Sequence, residues 1–365
     1  MLFWIVLVVF TVSTYVLKRL FFPDHQFETV SGAVIMAMGI VLNGALSELS
    51  IFPEWVLSGL TLFISSIWFL FFIDIIQSLR TKQFQARFFQ HSLQTFALGT
   101  WIAGTSMFLL SMISYFPEQI QFVKVLDGLN LILWLIYLGL ITQTLKKIRI
   151  TCLNGLILLV TVSTQSTVIM NHVLYGDHVP AFIYQTLIWL GILFYVAGMG
   201  ILLYRYLPLR KWNIASDWVN PNCIIHGAAS ITGLAIAMTG VFASSVLTFV
   251  WVWSFTLFII VELIEIVRAI TRVKRFGWVK GIGTYHVSQW ARNFTFGMFF
   301  MFGLQAKEAV TANPVLTDIF TVSMNILPWL VLLLFINECM LFTKANFRMP
   351  ERRKIHHQTT KEISS

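Results

Sequence analysis

The chain has 365 residues, 57% of them hydrophobic and only 11% charged, which excludes a soluble globular domain and indicates an integral membrane protein. Apolar stretches of about 20 residues without period-two alternation exclude a strand barrel. The net charge of +9 arises from Lys and Arg clustered between apolar runs, the pattern of cytoplasmic loops and not of a nucleic-acid surface.

The first apolar run, Met1 to Leu17, precedes Lys18 and Arg19 and lacks the basic start and small-residue cleavage site of a signal peptide. It reads either as an extra span with its N-terminus outside or as an interfacial helix. Ten further spans follow at 27–49, 54–79, 91–115, 121–145, 150–171, 179–204, 219–240, 243–270, 285–306 and 317–343. Each can cross a hydrocarbon core of about 30 Å, and only helices satisfy their own backbone there. Basic residues follow every even span: Arg80, Lys82 and Arg87; Lys146, Lys147 and Arg149; Arg205, Arg210 and Lys211; Arg268, Arg272, Lys274, Arg275 and Lys280; and Lys344, Arg348, Arg352, Arg353 and Lys354. The alternate connections at 47–54, 116–119, 172–180 and near Gly240 contain none, so the positive-inside rule predicts five hairpins that begin and end on the cytoplasmic side of a cell (inner) membrane. Residues 1–20 are thus an extra N-terminal helix, 21–344 the ten-helix domain, and 345–365 a basic cytoplasmic tail expected to be disordered.

The odd spans hold eleven glycines against six in the even ones, together with small polar residues such as Thr161, Ser163, Thr164 and Gln165. Small residues mark packed or lumen-facing interiors, so the odd helices are expected inside and the bulkier even helices outside. The glycines read either as widening a lumen or as packing helix on helix. The odd spans contain no Asp or Glu in their interiors, where Arg292 and His226 are the only basic groups. A passage without carboxylates and with Arg292 near its mouth suits anions, because cation pathways carry Asp or Glu rings. Arg292 also reads as snorkelling to the headgroups, and His226 as a structural histidine. Lys124 with Asp127, and Glu262 and Glu265 with Arg268, are spaced to pair along their own helices, and Asp74 and Glu338 read as satisfied structural groups. Cys152, Cys223 and Cys339 show neither metal-ligand nor disulfide spacing, and the eight histidines form no facing pairs. No metal or cofactor is expected, and a membrane redox enzyme is the remote alternative to transport.

Five segments then carry a resemblance. Span 1 reads Phe27 through Gly39 and Ile40, and span 3 reads Phe96-Ala-Leu-Gly99-Thr100-Trp101. Span 5 contains Asn154-Gly155 and Val-Ser-Thr164-Gln165-Ser166, while span 7 contains Pro221-Asn-Cys-Ile-Ile-His226-Gly227-Ala228. Span 9 runs from Tyr285 through Trp290 to Phe294-Thr295-Phe296-Gly297-Met298. In this order they resemble the tellurite-resistance/C4-dicarboxylate transporter family, whose fold is that of TehA and the slow-type anion channels. The resemblance covers 27 to about 342. It implies ten helices as five hairpins around a central pore, odd helices inside, a homotrimer, and a helix-9 phenylalanine, Phe294 here, that occludes each protomer's pore. On this reading Gly39, Gly99, Gly155, Gln165, His226, Gly227, Thr295 and Gly297 line the pore, and Arg292 is its anion-attracting mouth. The chain departs from the family at Thr295, where a proline is usual, at Cys223 and His226, and in its first 17 residues. The expected function is channel-like movement of small anions, with no enzymatic activity. The alternative is a proton-coupled carrier of C4-dicarboxylate, sulfite or tellurite-related oxyanions with His226 as the titrating group.

Overall fold

A computed structural model describes residues 2–22, 27–81, 84, 92–207 and 213–347. The tail from 348 onward and Lys82, Arg87, Arg210 and Lys211 lie outside the described residues. The described part is an all-α membrane protein. Ten of its helices are long and apolar enough to cross a bilayer: α1 (Phe3–Phe21), α2 (Thr29–Leu49), α3 (Glu54–Arg80), α4 (Ser92–Tyr115), α5 (Pro117–Leu145), α6 (Gly155–His178), α7 (Ala181–Tyr206), α8 (Asn220–Thr239), α9 (Ser244–Gly281) and a last one, Pro314–Asn346. Between the last two lies α10 (Trp290–Thr311), so Pro314–Asn346 is α11. Helix α10 is more polar, carrying Arg292, Asn293, Gln305, Lys307 and Glu308, and fourteen of its 22 residues are buried. A helix that polar is stable in a membrane only where other helices cover it.

Burial divides the helices into two layers. In α2, α4, α6 and α8 between 72% and 83% of the most apolar window is buried, against 22% to 44% in α3, α5, α7, α9 and α11. The five inner helices touch in cyclic order, α2 on α4, α4 on α6, α6 on α8, α8 on α10, and α10 back on α2. Each outer helix packs on the inner helix before it and on the one after it, filling the groove between neighbours. Helix α1 lies outside this arrangement, against α3. Phe3 and Trp4 meet Phe116 and Phe122 at one end, while Phe21 and Phe22 meet Phe347 and Phe342 at the other. Helix α1 therefore runs the full height of the bundle.

The glycines explain why the inner ring closes. A Cβ on Gly39 would lie 2.8 Å from the Met107 Cβ, and one on Gly99 2.8 Å from the Leu159 carbonyl oxygen. On Gly155 it would lie 2.1 Å from the Pro221 oxygen, on Gly227 2.2 Å from Thr295 Cγ2, and on Gly297 2.8 Å from Ile40 Cγ2. Each of the five glycines faces the next inner helix in the same rotational sense, and the fifth returns to the first. The missing Cβ atoms thus lie at helix contacts, where they let backbones approach, and do not point into an open lumen. Gly128 and Gly139, on the outer α5, face open space instead. Gly155→Ala, which drives a methyl into backbone, is expected to cost at least about 1–3 kcal/mol. Gly128→Ala should gain up to about 1 kcal/mol from helix propensity. Thermal unfolding of the purified variants in one detergent measures both.

Two inner helices differ in regularity. With threonine at 295, α10 runs unbroken through Gly297, and the Thr295 hydroxyl bonds back to the Arg292 carbonyl at 3.0 Å. The irregular inner helix is α2, which widens into a π-helical turn at Val41–Leu46. There the Asn43 amide donates to Ser111 Oγ at 2.9 Å, tying α2 to α4.

Candidate functional site

All five inner helices begin at one end of the bundle, the end at which the outer helices finish with their basic residues. Their first turns surround a cavity of about 1320 Å³, to which Thr29, Gln94, Leu156, Asn220 and Arg292 each contribute from a different inner helix. First-turn N–H groups and the positive ends of five helix dipoles gather there, an arrangement that favours anions. Some of these N–H groups are capped: Asn154 Oδ1 accepts from Leu156 N at 3.0 Å, Asn222 Oδ1 from Gly155 N at 2.9 Å, and His286 Nδ1 from Ser288 N at 3.2 Å. Among the described residues, four cationic side chains line this vestibule (Arg268, Arg272, Arg292 and Lys344) against three carboxylates (Glu28, Glu265 and Glu338). Glu338 is buried, and its Oε1 has no hydrogen-bond partner, so the reading of a satisfied group does not hold for that oxygen.

The lining reaches Ala97, Leu156 and Asn293, and Phe294 is the next residue inward on α10. The neighbours of Phe294 establish its direction. Thr295 faces Gly227 on α8, and Gly297 faces Ile40 on α2. The Phe296 ring sits 4.8 Å from that of Phe258 on the outer α9. At about 100° per residue, Phe294 occupies the remaining quadrant, opposite α9 and between α8 and α2, which is the axis of the ring. Its side chain is 1% exposed. The other α10 aromatics have packing roles, with Phe299 stacked on Trp251, Phe255 and Phe258.

Other sequence-singled residues turn away from that axis. The Gln165 amide, fully buried, donates to the Ile188 carbonyl at 3.2 Å and lies over Gly191, both on the outer α7. His226 is buried with its ring 5.1 Å from Phe258 of α9 and 6.0 Å from Phe296. Both therefore sit between the layers, and Thr295 sits in the α8–α10 contact.

Arg292 is neither a free cation at the mouth nor a snorkelling side chain. Its guanidinium donates to Glu262 through Nη2 at 2.5 Å and Nε at 3.4 Å, and Nη2 lies 3.9 Å from Glu265. Glu262 was expected to pair along its own helix and instead crosses to α10. Glu265 does pair with Arg268, at 3.1 Å, and also accepts from the Trp218 indole at 2.8 Å. Arg268 in turn donates to Asn220 Oδ1 at 2.8 Å. The cause is depth: Glu262 lies well inside the apolar part of α9, and a carboxylate there is stable only with a cation beside it. Two opposite charges at similar depth, in span 8 and span 9, were the signal available in the sequence.

The expected Lys124–Asp127 pair does not form. The Lys124 ammonium lies over the Tyr175 ring at 5.8 Å, while Asp127 is fully buried with no hydrogen-bond partner on either oxygen.

No family model and no curated protein matches this chain.

Proposed function

We propose that the protein moves small anions across a cell membrane through a pore along the axis of its five inner helices, with Phe294 as the occluding group. The observation that carries this reading is the convergence of five helix N-termini on a vestibule whose lining ends one residue short of an axial phenylalanine. Anions concentrate at such a mouth because dipoles and cations both favour them. An interior-negative potential of 100 mV adds about 2.3 kcal/mol per charge toward exit from the basic, cytoplasmic side. Five in-order segments similar to the tellurite-resistance/C4-dicarboxylate transporter family support the same function, and on that analogy the protein is a homotrimer with one pore per chain, its C-terminus in the cytoplasm.

Liposomes containing purified protein test this. Nitrate, chloride, sulfite and malate each imposed as a gradient should dissipate at different rates through the protein, and potassium should not. Equal leak of anions and cations, or no flux above empty liposomes, would reject the assignment.

A further inference from the structure

The Arg292–Glu262 pair faces the vestibule from one side only. Arg292 lines the cavity with its side chain 32% accessible, Glu262 lies behind it at 16%, and His226 behind Glu262 at 0%. His226 Nε2 is 3.9 Å from Glu262 Oε1, and neither ring nitrogen has a hydrogen-bond partner. The two carboxylates beside Arg292 differ in what else holds them. Glu265 keeps Trp218 and Arg268 whatever Arg292 does, whereas among the described residues Arg292 is the one cation that bonds Glu262. The charged and titratable groups around Glu262 are His226 and Cys223 from α8, Arg292 from α10, and Glu265 and Arg268 on its own helix.

We infer that anion binding in the vestibule is proton-linked through this triad: the anion displaces Glu262 from the Arg292 guanidinium, and Glu262 with His226 takes up a proton in exchange. This rests on the anion-transport reading above. The guanidinium fork offers one bidentate face, and an oxyanion competes for it directly with a carboxylate. A half-buried carboxylate among apolar helices that loses its cation is costly to keep charged, so a proton compensates it. The balance is simple. The anion's charge replaces that of Glu262 at Arg292, and one proton from the vestibule water bonds to a Glu262 oxygen, which has His226 Nε2 3.9 Å away as its nearest titratable neighbour on α8. No covalent bond in the anion breaks, nothing is oxidised, and for a monovalent anion the site's net charge is unchanged. The unpartnered His226 nitrogens, otherwise costly in a protein interior, then acquire a use.

Calorimetric titration of the full-length protein in nanodiscs with nitrate, in buffers of differing ionisation enthalpy between about pH 5.5 and 8, reads the linkage. The expected result is uptake of close to one proton per nitrate, with affinity weakening by up to about tenfold per pH unit as pH rises. In Glu262→Gln the competitor is gone, so nitrate should bind more tightly at high pH, without proton uptake and without the pH slope. Should that variant fail to fold, Glu262→Asp keeps the carboxylate on a shorter arm and should bind nitrate several-fold more tightly with the slope retained. Nitrate binding without proton uptake in the wild type, or an unchanged slope in Glu262→Gln, overturns the linkage while leaving transport intact. Absence of both nitrate binding and anion flux overturns linkage and transport together.

Discussion

Replacing Phe294 with alanine is expected to raise anion flux in liposomes by about tenfold or more, equivalent to removing at least about 1.4 kcal/mol of barrier. The ring stands on the axis quadrant of α10, directly beyond the vestibule lining, and unlike its neighbours Phe296 and Phe299 it is not engaged by the aromatic layer on α9. Phe299→Ala is the matched control. That residue is buried against Trp251, Phe255 and Phe258, so its truncation should cost about 3–5 kcal/mol of stability and leave flux per folded molecule as it was. The two variants should separate cleanly, one gaining conductance and the other losing melting temperature. If Phe294→Ala instead melts early and conducts no more than wild type, the ring is a packing group and the gate lies elsewhere.

Arg292→Gln is the second large effect. Removing this guanidinium strips the half-buried Glu262 of its cation and weakens the surroundings of the buried Glu265. Breaking one side of a fully buried pair costs about 3–5 kcal/mol, mostly through the charge left behind, and this half-buried pair should lose less than that. The double variant Arg292→Gln/Glu262→Gln should therefore recover much of the stability that the single one loses, because no unpaired charge remains. Anion flux should stay low in both, since the vestibule has lost the cation nearest Phe294. Thermal unfolding and liposome flux on the wild type and all three variants complete a double-mutant cycle. Additive stability losses would mean that the two side chains act independently, against the ion-pair geometry.

The membrane class, the span positions and the sidedness of the basic residues were legible along the chain because they are local properties. Hydropathy is a running average, and the bilayer reads it about 20 residues at a time. The excess of glycine and small hydroxyls in alternate spans was legible for a related reason, since composition reflects whether a helix meets protein or lipid. The direction of each glycine was not legible. Gly39, Gly99, Gly155, Gly227 and Gly297 are alike in sequence terms whether they open a lumen or close a ring, and the neighbouring backbone alone distinguishes these uses. The same holds for Gln165 and His226, which a polarity argument sends to the lumen and packing sends to the outer layer.

Charge pairing divides in the same way. Spacing of three along a helix permits Lys124 to reach Asp127 and Glu265 to reach Arg268, yet one pair forms and the other does not. Helical spacing states which residues can meet, and depth together with the partners on adjoining helices decides which do. Sequence by itself thus determined a polytopic helical membrane protein, basic on one face, with small residues concentrated in alternate helices. Tertiary structure alone decided that those helices close into a ring, that Phe294 lies on the quadrant of its helix that faces the ring's axis, and that Arg292 is bound by Glu262 from another helix. The physical reason is that hydrophobicity and loop charge act residue by residue, whereas van der Waals contact and ion pairing depend on groups brought together from opposite ends of long helices.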